Sequence, residues 1–320
     1  MKPSRSVRNI SKSAAVGSAG MVVSHSVESA EAGAAVLRAG GTAFDAAVSM
    51  GFVAAVREMA MSSIGGVGAL LAFSGQTQQV TEIDFYGRTP MGLQESAFVP
   101  YLLDPSDAKR SSYGWRGVDG ARNDRGFLSV GVPTYVGGMG RLHESLGTVS
   151  WRDLLRPAAD LARGGFVSDE EITSAFAAYH RHLDEFEEFR RIYLANGIPT
   201  PAGAYPGQGI PIVQRDLADT IDQLGAEGPG WFYSGPVADK ISSYVQSGGG
   251  VLDVADFRRI EPAVAAGTRG SYRGYDVVVS SGMTGGSTLL EMLNIAENFD
   301  LGAKERYSSE LLILLLEIMR

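Results

Sequence analysis

Apolar residues crowd most densely between Thr42 and Pro90. From about 43 to 58 (AFDAAVSMGFVAAVRE) they occupy nearly every side of a helical wheel. A helix apolar all round is a buried helix. Residues Ile64–Phe73 (IGGVGALLAF) form an apolar run entered through glycines, Ser74–Gln78 read as a turn, and Gln79–Tyr86 return. That pattern predicts a hairpin of two core strands. The return strand ends on Asp84, Phe85, Tyr86, Gly87 and Arg88. A polar cluster at the end of a core strand is where a rigid scaffold can present a ligand site.

On either side of this block the pattern is mostly helical. An arm over residues 1–20 leads to a short edge strand near Met21–Ser24. Ser26 then stands as N-cap to a helix that Gly40-Gly41 stops. Thr42 and Asp45 have capping-box spacing before the apolar helix, and so do Ser150 and Asp153 before a helix to about Arg163. Residues 134–146 read as helical despite their glycines, and Ser168–Asn196 as one charged helix whose acidic run is a solvated face. Residues 104–126 are a polar loop in which Trp115 and Arg116 can line a site mouth, and Gly197–Gly209 is a loop rich in glycine and proline. Helices follow near 214–226 and 236–247, with a helical turn at Asp253–Arg258. Thr268–Ser280 predicts two short strands about a turn at Arg273-Gly274, and a glycine-rich entry leads into a helix over Ser287–Asn298. A last apolar helix starts near Ser308 or Ser309 and runs on at Arg320. This order gives an α/β (or α+β) fold without internal repeats, one domain over 1–320 with a helical sub-region about 134–260.

Composition narrows the chemistry. Net charge is −8, which disfavours nucleic acid as the main partner. There is no cysteine, hence no thiolate nucleophile, disulfide or thiolate metal site. The four histidines at 25, 143, 180 and 182 form no HExxH pattern, so neither a metal nor a cofactor is expected on this chain. Gly65-Gly66-Val67-Gly68 lacks the phosphate-loop pattern and follows a helix rather than a strand. The start of the chain has no apolar leader core, and the longest apolar run, Leu311–Leu316, is too short to span a bilayer. From those features alone the expectation is a chain outside the membrane, in the cytoplasm.

Three stretches together resemble the gamma-glutamyltransferase (gamma-glutamyltranspeptidase) family. They are VVSHSVESAEAGAAVLRAGGTAFDAAVSMGFVAAV with SSIGGVGALLAF and TEIDFYGRTP, then SVGVPTYVGGMGRLHESLGTVSWRDLLRPAADLARGGFVSDE. The third is DLADTIDQLGAEGPGWFYSGPVADKISSYVQSGGGVLDVADF, continuing through RGSYRGYDVVVSSGMTGGSTLLEMLNIAENFDL. The resemblance implies an N-terminal-nucleophile hydrolase with an αββα sandwich, made as a precursor that cuts itself in two. A threonine exposed by the cut attacks a γ-glutamyl amide with its own amine as base. The acyl group then passes to water or an amino acid, with backbone amides stabilising the oxyanion. It further implies a glutathione-like amide as substrate, a small subunit as partner, and a possible higher oligomer. Many family members are periplasmic or secreted.

Two departures from the family pattern shape the expectations. In the family, the position of Arg320 falls inside a large-subunit helix. The resemblance therefore implies a large subunit, incomplete without the small one, with no catalytic residue of its own on this chain. Second, the family's substrate arginine sits in an Asp-Phe-Arg-Glu motif, where Tyr86 stands here, and Arg88 follows two residues on. Strand side chains repeat every two residues, so Arg88 can reach the same pocket from about 6 to 7 Å further along. Arg88 is thus either the ligand of a substrate carboxylate, with Tyr86 a weaker candidate beside it, or a structural arginine bonding loop carbonyls. The shift leaves room for a related acylase, with a cephalosporin-like or small amide-acid donor, and for a stand-alone binding chain. Ser62-Ser63 and Gly65–Gly68 resemble a family run read as close packing. Ser280–Ser287 stands where the family carries prolines near the site.

Overall fold

A computed structural model describes residues 14–104, 116–200 and 209–320. The expectations for the arm through residue 13, for 105–115 with Trp115, and for 201–208 lie outside the described residues.

Helices α1 (Val27–Arg38) and α2 (Ala43–Arg57) open the described chain, joined through Gly40 at φ +90°, a backbone state that suits a residue without Cβ. The capping box of α2 forms in both directions: Thr42 Oγ1 accepts from the Asp45 amide at 3.1 Å, and Asp45 Oδ2 accepts from the Thr42 amide at 2.9 Å. Ser26 precedes α1 but does not cap it. Its hydroxyl donates to Glu58 Oε1 at 2.6 Å, a charged and therefore stronger acceptor. Residues 21–24 form no strand, because no neighbour offers them a ladder among the described residues.

The predicted hairpin is β1 (Gly68–Ser74) and β2 (Gln79–Phe85), antiparallel with Gly68 opposite Phe85 and Ser74 opposite Gln79. β1 begins later than its apolar run because Gly66 is taken into a turn. Its carbonyl accepts from the amides of Thr134 and Tyr135, both at 3.0 Å. Next come α3 (Tyr135–Leu146), α4 (Trp151–Gly164), β3 (Phe166–Val167), α5 (Glu170–Leu183) and α6 (Glu187–Tyr193). The single helix read over 168–196 is thus two. Phe186 leaves helical geometry at ψ 115° and turns its ring edge to Phe127, 6.1 Å between centroids.

A small hairpin, β4 (Leu194–Ala195) with β5 (Ile198–Pro199), and β6 (Pro211–Ile212), which pairs with β3, lead into the next helices. These are α7 (Arg215–Glu227), α8 (Pro229–Ser234), α9 (Pro236–Ser247) and α10 (Val254–Phe257). α8 escapes periodicity because it has six residues between Gly228 and Gly235. β7 (Ala263–Ala265), also unforeseen, adds antiparallel to the free edge of β2, with Glu82 opposite Ala265 and Asp84 opposite Ala263. The hairpin of β8 (Thr268–Tyr272) and β9 (Tyr275–Val279) turns at Arg273 and Gly274, both at positive φ, as read from the sequence. α11 (Gly286–Ala296) and α12 (Ser309–Met319) complete the order.

The three-stranded sheet β1-β2-β7 has two unlike faces. Ala72, Ile83 and Phe85 point into the core beneath α3. There an edge-to-face chain of rings runs from Phe85 to Tyr135 (6.0 Å), Phe52 (6.0 Å) and Trp151 (5.4 Å), tying sheet, α3, α2 and α4 together. Such contacts add about 0.5–1.5 kcal/mol each beyond burial. On the other face Leu71 and Phe73 remain 41% and 57% exposed. β1 is therefore not the fully buried strand its composition predicts. α2 likewise leaves Ala43 and Ala47 in contact with solvent. Helix layer and sheet together make a mixed α/β architecture with helices on one face of the central sheet. Among the described residues no helix is long and apolar enough to cross a membrane.

Candidate functional site

β2 carries the candidate site at its C-terminal end. Asp84 Oδ1 accepts from the Tyr86 amide at 2.9 Å, so the strand's own carboxylate turns the chain outward. Two residues on, the Val132 amide donates to the Arg88 carbonyl at 2.9 Å in an antiparallel bridge. The backbone of Arg88 is thereby fixed while its side chain stays exposed.

Arg88 lines a cavity of about 250 Å³ together with Asp84, Met91, Asp256, Arg259 and Glu261. Tyr86, half-buried, is not among the lining residues. Asp256 is already committed: its oxygens accept from the amides of Met91 and Asp253, both at 2.9 Å. Arg259 donates to the Met91 sulfur, a weak acceptor. Among the described residues neither Arg88 nor Arg259 has an ion-pair partner. Two guanidiniums without ion-pair partners beside the carboxylates of Asp84 and Glu261 give the cavity both signs of charge. That combination suits a zwitterionic amino-acid head better than a neutral ligand.

Two residues before Asp84 on β2, Glu82 is fully buried, and among the described residues it has no ion-pair partner. Its carboxylate accepts from Ser280 Oγ at 2.5 Å, the Ser281 amide at 2.8 Å and Ser281 Oγ at 2.6 Å. Burial pushes its pKa up, but the Ser280 and Ser281 hydroxyls and the amides of Ser281 and Gly282 outweigh that and hold it below the usual value. The sequence reading passed over Glu82. Its signal was a carboxylate inside an apolar strand, TEIDF, which must find donors or neutralise. Arg259 was missed too, because nothing in the sequence brings it beside Arg88.

The Ser62–Gly68 stretch serves packing. A Cβ on Gly68 would lie 2.7 Å from the Phe85 ring. Ser62 bonds the Tyr135 hydroxyl, whose pKa burial pushes well up. Thr134 Oγ1 donates to the Phe85 carbonyl. Arg116 gives its Nε to the Leu103 carbonyl at 2.5 Å. A larger cavity of about 940 Å³ lies beside α3 and shares Glu261 with the first; there Arg141 pairs with Glu144 at 2.7 Å, and His143 Nε2 bonds the Val149 carbonyl at 2.7 Å.

Comparison with known proteins adds a second line of observation. The family described as Gamma-glutamyltranspeptidase matches residues 29–320. The chain is 32% identical to the glutathione hydrolase proenzyme of Bacillus subtilis over 305 residues, covering 95% of this chain and 49% of that protein. It is 29% identical to the acylase ACY 1 proenzyme of a Pseudomonas strain over 312 residues, 97% of this chain and 53% of that one. Among solved structures, the gamma-glutamyltranspeptidase of Helicobacter pylori superposes with a TM-score of 0.85 at 26% identity, over 96% of this chain and 83% of that chain. The chain thus spans about half the length of the curated relatives it matches.

Proposed function

The chain belongs to the gamma-glutamyltranspeptidase family, and from that premise we propose that it is the large-subunit part of an amidohydrolase or acyltransferase. The reaction moves a γ-glutamyl or related acyl group from an amide to water or an amino acid. A threonine at the new N-terminus of a small subunit, released from the same precursor, is the nucleophile. The relatives named as proenzymes support a two-chain product, and the sheet face bearing Leu71 and Phe73 supports a second layer over it. In this scheme the large subunit supplies no reacting atom. It binds and orients the donor so that the amide carbon meets the nucleophile.

The observation that carries the proposal is Arg88, a guanidinium at the cavity beyond the end of β2 that has no ion-pair partner among the described residues. Its role is to pair with the donor carboxylate; Tyr86, off the cavity wall, is left out of that role. The test is Arg88→Ala and Arg88→Lys in the mature two-chain enzyme. Loss of a charged hydrogen bond of about 1.5–3 kcal/mol predicts a fall in kcat/KM of about 10- to 150-fold for Arg88→Ala. Kinetics untouched by both substitutions would remove Arg88 from the site.

A related acylase is the second reading, supported by the similarity to acylase ACY 1 and by an arginine two residues beyond its family place. A panel of γ-glutamyl anilide against glutaryl, oxamate and aminoacyl amides separates the two. Failure to cleave any γ-glutamyl amide, with turnover of another member, selects the acylase. Mass spectrometry of the purified protein for a second polypeptide that begins with threonine tests the two-chain scheme itself.

A further inference from the structure

Ser280–Ser287 stands where the family carries prolines and holds none itself, so ring constraints cannot shape the turn between β9 and α11. The structure supplies another constraint. Glu82, in the middle of β2, takes three hydrogen bonds from this one turn: the hydroxyls of Ser280 and Ser281 and the Ser281 amide. Thr284 Oγ1 closes the turn on the Ser280 carbonyl at 3.3 Å. A carboxylate buried without a cation costs several kcal/mol unless its lone pairs are met, and here one turn meets them. The carboxylate and the turn therefore require one another.

The turn does not stop at Glu82. Gly282 lies against the Asp84 carboxylate so closely that a Cβ there would sit 3.0 Å from Oδ2. The other oxygen of Asp84 accepts from the Tyr86 amide, the bond that directs the chain from β2 toward Arg88. A contiguous line of contacts runs from Glu82 through the 280–282 turn and Asp84 to the backbone that carries Arg88.

We propose that Glu82 is a positioning residue: by clamping the 280–282 turn against Asp84 it sets the direction in which Arg88 meets the donor carboxylate. This assignment rests on Arg88 being the carboxylate ligand. Glu82 touches no substrate and moves no proton. Removing its charge loosens the turn, and the loss is felt in binding of the carboxylate rather than in the bond-breaking step.

The experiment uses the mature enzyme as wild type, Glu82→Gln, Arg88→Ala and the double variant. Each is assayed with a carboxylate-bearing donor and with the methyl ester of the same donor. Glu82→Gln should raise KM for the free carboxylate about tenfold, a coupling of ordinary size for residues in one network, with kcat within about twofold. In the Arg88→Ala background the same change should alter KM by less than about twofold. The ester should be indifferent to Glu82→Gln. Equal effects in both backgrounds, or on both donors, would mean a merely structural carboxylate and overturn the proposal. An Arg88→Ala enzyme with unchanged KM would instead remove the ligand on which the proposal rests, a separate and recognisable failure. Should Glu82→Gln not mature, Gly282→Ala crowds the same Asp84 contact while keeping the carboxylate, and must show the same dependence on Arg88.

Discussion

Replacing Asp45 should destabilise the protein more than an ordinary cap does, and the structure gives the size. Asp45 is fully buried, and its carboxylate serves two segments at once. It accepts from the Thr42 amide and hydroxyl at 2.9 and 2.8 Å. It also accepts from the Thr148 amide and hydroxyl at 2.8 and 2.7 Å and from the Val149 amide at 3.1 Å. Burial opposes the charged form, but the donors of Thr42 and Thr148 prevail and hold the carboxyl far below its usual range. Asp45→Ala strands three backbone N–H groups at about 1–3 kcal/mol each. Water entry at the 147–149 turn returns part of that, leaving a loss of about 3–5 kcal/mol. With unfolding entropy near 2.1 cal/mol/K per residue over 320 residues, the loss lowers Tm by about 4–7 °C. Asp45→Asn keeps one acceptor oxygen and should fall between. Because the folded carboxyl is depressed, its contribution is complete above the unfolded value of about 3.9 and is lost as pH falls through the folded value. The gap between wild type and Asp45→Asn should therefore be constant from pH 7 to about 5 and close at more acid pH. Scanning calorimetry across that range decides. A Tm drop under about 1 °C for Asp45→Ala, or a gap that widens with acid, would refute the assignment.

Two further substitutions probe the layer beneath the site. The Gly137 amide donates to the Tyr233 hydroxyl at 2.7 Å, and burial pushes that phenol well up. Tyr233→Phe should cost about 1–3 kcal/mol by stranding the amide, read as a shift in denaturation midpoint with unchanged m-value. Gly138→Ala sets two effects against each other. A helical alanine gains up to about 1 kcal/mol, but the added methyl meets the Phe85 ring, and overpacking costs about 1–3 kcal/mol. The net should be destabilising, and a rise in Tm would show that Phe85 can move aside.

The sequence exposed those parts of the fold that local chemistry dictates. The Thr42–Asp45 capping box and the Arg273-Gly274 turn lie within a few residues and formed where read, and the β1-β2 hairpin formed with its first strand opening at Gly68 rather than Ile64. β7 did not announce itself. Ala-Val-Ala has no pattern of its own and becomes a strand only because the edge of β2 is free to pair with it. Phe186 broke a helix for a ring 59 positions away, again a matter of tertiary contact. At the candidate site, the resemblance drew attention to 86 and 88, but the cavity joins Arg88 to Arg259 and Asp256, which lie far along the chain. The missing prolines over 280–287 were visible, whereas their replacement by a buried carboxylate on β2 required the fold.

The pairing of β2 with β7 has a consequence for synthesis. β2 is complete at Phe85, but its second neighbour does not exist until Ala265 has been made. At about 5–20 residues per second, the free edge of the hairpin waits roughly 9–36 s on the ribosome. An unpaired strand edge is a template for other chains. The contact between two elements so distant in sequence also slows closure, since loop entropy must be met before the ladder rewards it. The nascent protein thus passes through a stage in which β2 offers an unpaired edge. Its yield in cells should depend on how well chaperones hold that edge apart from its neighbours until Ala263–Ala265 emerge.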